Sequence, residues 1–298
     1  MARPLMARMG WARPRSSWLL ALLAPCFACA EAVALPHSPV PARQLVPVPI
    51  CLAPLSPSAA SKPLAPQEYW PLLWPAFAQR PEQLDARDHD CAGRQPLSPW
   101  AGLGSPLRPL PEAASVTRSS DDLEIIWLPV AAEMEQRPLG LLALGRRRER
   151  RLEVYALGVH AGDPRSTRFT WQRLGSRLVV SALETCGAEA PEGCESSVSL
   201  YLARRGRLSQ LGTLALARQL RAPTPSRGAP PPEYHFHATL QYRPDGIHLL
   251  EQLSVRDQAR ELRRSELERV LRLRGDRLVE SEPSLWQQTL AELAAPAR

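Results

Sequence analysis

His235-Phe236-His237 sets two imidazoles at i and i+2 in a run that reads as a β-strand, so both fall on one face, roughly 7 Å apart. Histidines at that spacing can share a metal ion, with a third ligand from elsewhere, for instance His160. The competing reading is a partly exposed polar strand face. His248 follows the turn Pro244-Asp245-Gly246 and falls opposite Gln241 or Arg243, too far along the strand pair to join His237. Glu233 and Asp163 could complete a catalytic cleft with the two histidines only if the fold gathers them.

The sharpest charge run is Arg146-Arg147-Arg148-Glu149-Arg150-Arg151. Guanidinium forks match phosphate oxygens, so Arg146, Arg147, Arg148, Arg150 and Arg151 could grip lipopolysaccharide, nucleic acid or an acidic polysaccharide. The structural reading is a hairpin tip whose arginines discourage sheet association. Asp85-Ala86-Arg87-Asp88-His89-Asp90-Cys91 is a second polar cluster. It lacks the Asp-x-Asp-x-Asp-Gly spacing of a calcium loop and reads as a solvated loop pinned by its cysteine.

Patterns of known chemistry are absent. There is no Gly-x-Ser-x-Gly, no His-Glu-x-x-His and no Gly-x-x-x-x-Gly-Lys, and no cofactor is expected. Lys62 is the only lysine, so positive charge is carried by arginine, as a GC-rich genome would produce. The net charge of +7 falls to +4 if the first 34 residues, with four arginines and one glutamate, are removed. That excess does not suggest dedicated nucleic-acid binding.

Compartment is read from the N-terminus and the cysteines. Arg3, Arg8, Arg13 and Arg15 precede an apolar run from Trp18 to Ala30 and then Ala32-Val33-Ala34, the layout of a signal peptide over residues 1–34. The residues before Cys26 and Cys29 do not match the pattern ahead of a lipidated cysteine, so lipoprotein anchoring is the weaker alternative. Cys51, Cys91, Cys186 and Cys194 remain after cleavage, an even number with three connectivities. Pairing neighbours is simplest: Cys186 with Cys194 closes a short loop, and Cys51 with Cys91 a larger one worth about 4 kcal/mol by chain entropy.

The elements that must position these residues are strands. Seventeen of the 32 prolines fall between Pro36 and Pro111, which makes residues 35–120 a largely irregular covering segment. Tyr69, Trp70, Trp74, Phe77 and Trp100 within it are expected to dock it on a β-domain, the alternative being a ligand platform. From 121 to 282 eleven strand candidates follow at 10- to 12-residue spacing: 123–130, 139–144, 152–159, 168–174, 177–183, 197–203, 208–216, 234–242, 247–255, 267–273 and 277–282. Gly175-Ser176, Arg204-Arg205-Gly206, Pro244-Asp245-Gly246 and Arg274-Gly275-Asp276 supply turns between them. The pattern predicts a mainly β chain, an antiparallel meander closing as a hairpin-rich sandwich, open barrel or propeller-like body.

Two helices are also expected. A short one near 257–264 is suggested by a stripe through the Arg/Glu-rich run. Ser284-Leu285-Trp286-Gln287 matches a capping box at the start of a C-terminal helix over 283–298, with Trp286, Leu290 and Leu293 on its packing face. The functional expectation is an exported bacterial envelope or secreted protein with a non-catalytic binding or structural role. Envelope polysaccharide, a lipid surface or another envelope protein would be its partner. The alternative is an exported hydrolase or metal-dependent enzyme whose site exists only in the fold.

Overall fold

The computed structural model describes residues 48–85, 87–94, 106–119, 122–131, 137–185, 195–221, 231–257 and 260–294. Residues 1–34, expected to be a signal peptide, and Trp100, Cys186 and Cys194 lie outside the described residues. Among the described residues fourteen strands form one hydrogen-bonded sheet: β1 (Cys51–Pro54), β2 (Arg108–Pro109), β3 (Ser115–Arg118), β4 (Leu123–Ala131), β5 (Leu139–Arg148), β6 (Arg151–Ala161), β7 (Thr167–Leu174), β8 (Arg177–Glu184), β9 (Ser196–Arg204), β10 (Arg207–Arg221), β11 (Glu233–Arg243), β12 (Gly246–Asp257), β13 (Arg260–Arg274) and β14 (Arg277–Glu280). The mainly β expectation and all eleven strand candidates, now β4 to β14, are borne out.

The turns are closed by the residues that announced them. Leu174 pairs Arg177 around Gly175-Ser176, and Arg204 pairs Arg207 around Arg205-Gly206. Arg205 and Gly206 both have positive φ, 48° and 76°, the conformation of a type I′ hairpin turn. β7 to β14 therefore form a continuous antiparallel meander. β4, β5 and β6 form another, joined to β10 by one parallel bridge between Leu157 and Arg207.

Packing stacks this sheet in layers. Ile126, Leu128, Leu141, Ala143, Leu152 and Val154 turn one face of β4–β6 to a core shared with Tyr69, Trp70, Leu73, Trp74 and Leu84. Ile125, Trp127, Leu142 and Leu144 turn the opposite face to Phe169, Val180, Ala182 and Tyr201 of β7–β9. Val179, Leu200 and Leu202, on the far side of β8 and β9, meet Phe236, Ile247, Leu249, Leu253 and Leu271. Strands buried on both faces need apolar residues at consecutive positions, which is why β4 reads Leu-Glu-Ile-Ile-Trp-Leu-Pro-Val instead of alternating.

The proline-rich segment docks through its aromatics, with Tyr69, Trp70 and Trp74 at most 1% exposed. It also extends the sheet: β1 lies antiparallel on β6, while β2 and β3 lie on β4. Each is short and at a sheet margin, where proline is tolerated. Cys51 is disulfide-bonded to Cys91. Tyr69 donates to Glu124 (2.5 Å), which also accepts from Arg118 (3.0 Å), and Arg118 and Arg147 donate to the carbonyls of Leu64 and Lys62. Asp88 and Asp90 are spent on turn hydrogen bonds from the backbone of Asp85, Ala92 and Arg94.

The helix expected near 257–264 is replaced by strand, because β13 begins at Arg260 and is held to β12 by an antiparallel ladder. The C-terminal helix, Leu285–Ala294, starts with the expected reciprocal cap between Ser284 and Gln287. Its packing face differs: Leu285 and Thr289 are buried, Trp286 packs near Phe236, and Leu290 and Leu293 remain 44% and 37% exposed. Among the described residues no helix is long and apolar enough to cross a membrane.

Candidate binding groove

Up to the bulge in β13, successive side chains of β11, β12 and β13 point to opposite faces of the sheet, and this divides them into two sets. Phe236, Ala238, Leu249, Leu253 and Leu271 face inward. The outward set lines up in cross-strand rungs, because directly paired residues share a face. One rung runs Arg221–Glu233–Arg256–Glu261, the next Gln219–His235–Ser254–Arg264, and the next Ala217–His237–Gln252–Glu266. A groove of about 250 Å³ lies over them, lined by His235, His237, Gln252, Ser254, Arg256, Glu261 and Arg264 among others.

Glu233 accepts from Arg221 (2.8 Å) and lies 3.5 Å from His235 Nε2, while Glu266 meets both Arg264 (3.0 Å) and Gln252 (3.4 Å). The groove thus presents guanidinium, imidazole, amide and hydroxyl groups at strand spacing. Such groups can donate to oxygen-rich partners, while Glu261 adds a carboxylate to the same lining. A bulge between Val255 and Arg256 shifts the last rung so that Glu261 faces Arg256.

The two histidines share a face as expected and Glu233 joins His235 at 3.5 Å, but His248, His160 and Asp163 do not join them. His248 pairs Gln241 and is buried between Asp245 (3.1 Å) and Glu268 (3.0 Å). Among the described residues no three His, Cys, Asp or Glu side chains come together as a metal site. His160 belongs to a separate buried cluster, while Asp163 is exposed in the turn after β6, where it accepts from the Arg165 N–H (3.0 Å). His160 Nδ1 is 2.8 Å from the Tyr201 hydroxyl, and its ring packs edge-on against Trp127, Phe169 and Tyr201. His160 Nε2 is 3.8 Å from Glu184 Oε1 and has no hydrogen-bond partner.

Burial lowers the His160 pKa to about 4, so the ring is neutral at pH 7. Burial also raises the Glu184 pKa, which Arg137 counteracts and Asp163 reinforces. A Cβ at Gly162 would lie 2.5 Å from Glu184 Oε1, 2.6 Å from His160 Nε2 and 2.9 Å from Thr167 Oγ1, so the cluster closes only around glycine.

Four of the five arginines of the run at the β5–β6 tip are held in the fold. Arg146 is buried, Arg147 is 3.4 Å from Glu124, and Arg148 and Arg151 flank Glu153 at 3.7 and 3.3 Å. Arg150 lies in the turn, exposed.

The residues that sequence reasoning missed are Gln252, Ser254, Arg256 and Arg264. The first three occupy alternate positions of a strand already expected, which was signal enough for a shared face. Arg264 could not be placed while its segment read as helix. No family model, curated protein or solved structure matches the chain.

Proposed function

We propose that this is an exported protein with a non-catalytic binding role, and that the groove over β11–β13 receives an acidic, hydroxyl-rich ligand such as a stretch of envelope polysaccharide. The observation that carries the reading is the convergence of Arg256, Arg264, His235 and His237 with Ser254 and Gln252 on one open polar surface. Guanidinium groups suit carboxylate or phosphate oxygens, and amide and hydroxyl side chains suit sugar hydroxyls. The Cys51–Cys91 disulfide supports an oxidising compartment, in keeping with the leader-like residues 1–34.

Titration of the purified protein with an oligomeric uronic acid and with a neutral glucan tests the site. Saturable binding to the acidic oligomer, weakened at least about tenfold by Arg256→Ala with Arg264→Ala, is expected, a loss of about 1.4 kcal/mol. Equal affinity for the neutral glucan, or no effect of the arginines, removes the reading. Free thiols at Cys51 and Cys91 in protein from native cells would remove the export component. The alternative of an exported hydrolase draws on the His160–Glu184–Tyr201 cluster, where imidazole, carboxyl and phenol groups meet.

A further inference from the structure

β13 is paired to β12 along its length, but β14 covers its other flank only from Leu271 to Arg274. Among the described residues the remaining flank has no strand beside it. The direction of its backbone groups follows from the hairpin: Arg274 and Arg277 close a two-residue turn, so alternate residues counted back from Arg274 point away from β12. Val270 is one of them, and its N–H donates to Ser281 Oγ (3.3 Å). Glu268, Glu266 and Arg264 follow in the same phase, each exposed.

An open edge of this length is a template for another strand, and proteins commonly blunt such edges with charge. Here the charges are arranged differently, because Arg264-Ser265-Glu266 is self-complementary. Two copies placed antiparallel about a twofold axis at Ser265 set Arg264 of each opposite Glu266 of the other, on one face and in the hydrogen-bonding phase. A closed isologous contact results.

We propose that β13 pairs with β13 of a second copy of this chain, continuing the sheet across a twofold axis at Ser265. The bulge at Leu262, between the Arg263–Val255 and Glu261–Arg256 pairs, limits the paired stretch to a few residues around that axis, so the dimer is weak and concentration-dependent. The C-terminal helix reaches the same strand through Glu292 and Arg263 (3.4 Å), and Leu290 and Leu293 beside that contact are exposed apolar area for the interface. Arg264 also lines the groove, so pairing would set two grooves side by side. This last consequence rests on the binding role proposed above; the dimer does not.

Sedimentation equilibrium of the chain lacking residues 1–34, with circular dichroism to confirm folding, tests the proposal. The unsubstituted protein is expected to show a reversible monomer–dimer equilibrium. Arg264→Glu or Glu266→Arg alone creates two like-charge pairs across the axis and should weaken association at least about tenfold. The double exchange Arg264→Glu with Glu266→Arg should restore it. A protein that stays monomeric at every concentration overturns the proposal, as does a dimer indifferent to the single reversals or not rescued by the exchange. Ligand binding retained by a strict monomer would leave the groove reading standing and remove only the dimer.

Discussion

His160 is a residue whose protonation near neutral pH is changed by folding. In the unfolded chain its imidazole takes up a proton near pH 6.5, whereas in the fold burial holds the pKa at about 4. The unfolded state therefore binds more protons in that window, and stability is retained above about pH 6.5 and lost as pH falls toward 4. The loss from this group amounts to about 3 kcal/mol at most. Glu184, with its pKa raised, takes up its proton earlier in the fold than in the unfolded chain and opposes part of the loss. His160→Phe should flatten the dependence of urea-unfolding free energy on pH between 6.5 and 4. An unchanged slope would show that the ring is not buried neutral.

At the scale of elements, the C-terminal helix is tied to the sheet by one buried charge pair. Arg269 donates to Glu251 (2.7 Å) and to Glu280 (3.0 Å), and the second Glu251 oxygen accepts from the Leu285 N–H (2.7 Å) at the helix start. A carboxylate there satisfies a helix N–H that has no partner within the helix and complements the positive end of the dipole. Glu251→Ala leaves a buried guanidinium without its main partner and should cost about 3–5 kcal/mol in chemical denaturation. Glu251→Leu with Arg269→Met should cost much less, because no charge is then left uncompensated. If the double variant is no better than the single, the pair acts as more than a buried electrostatic contact.

For the whole molecule, the decisive contact is between the proline-rich segment and the outer face of β4–β6. Tyr69, Trp70, Leu73, Trp74 and Leu84 cover apolar residues that would otherwise face water. The Cys51–Cys91 bond, spanning 40 residues, holds that cover closed. Replacing both cysteines with serine should lower stability by about 4 kcal/mol on the chain-entropy account. It should also make residues 51–94 the first to be cut by a protease. Unchanged proteolysis would mean that the aromatic contacts alone suffice.

What was legible in the sequence is what neighbouring residues decide. The eleven strands, the hairpin closures at Gly175, Gly206 and Gly275 and the Ser284–Gln287 cap all follow from contacts a few residues apart. So does the shared face of His235 and His237. The Pro244-Asp245-Gly246 turn, by contrast, leaves His248 opposite Gln241 or Arg243, and the ladder selects Gln241. The segment 257–264 resisted because its Arg/Glu pattern suits an exposed helix as well as an exposed edge strand, and only the ladder to β12 selects the strand. The stripe of Trp286, Leu290 and Leu293 predicts a packing face that the fold leaves partly exposed, because a helical stripe fixes which residues align but not which side is covered. Tertiary structure alone determined that Glu124 meets Tyr69 across 55 positions, that Glu251 lies in the core, and that Arg264 stands beside His235 over Ser254. Burial and cross-strand register depend on residues distant in the chain, and no local pattern encodes them.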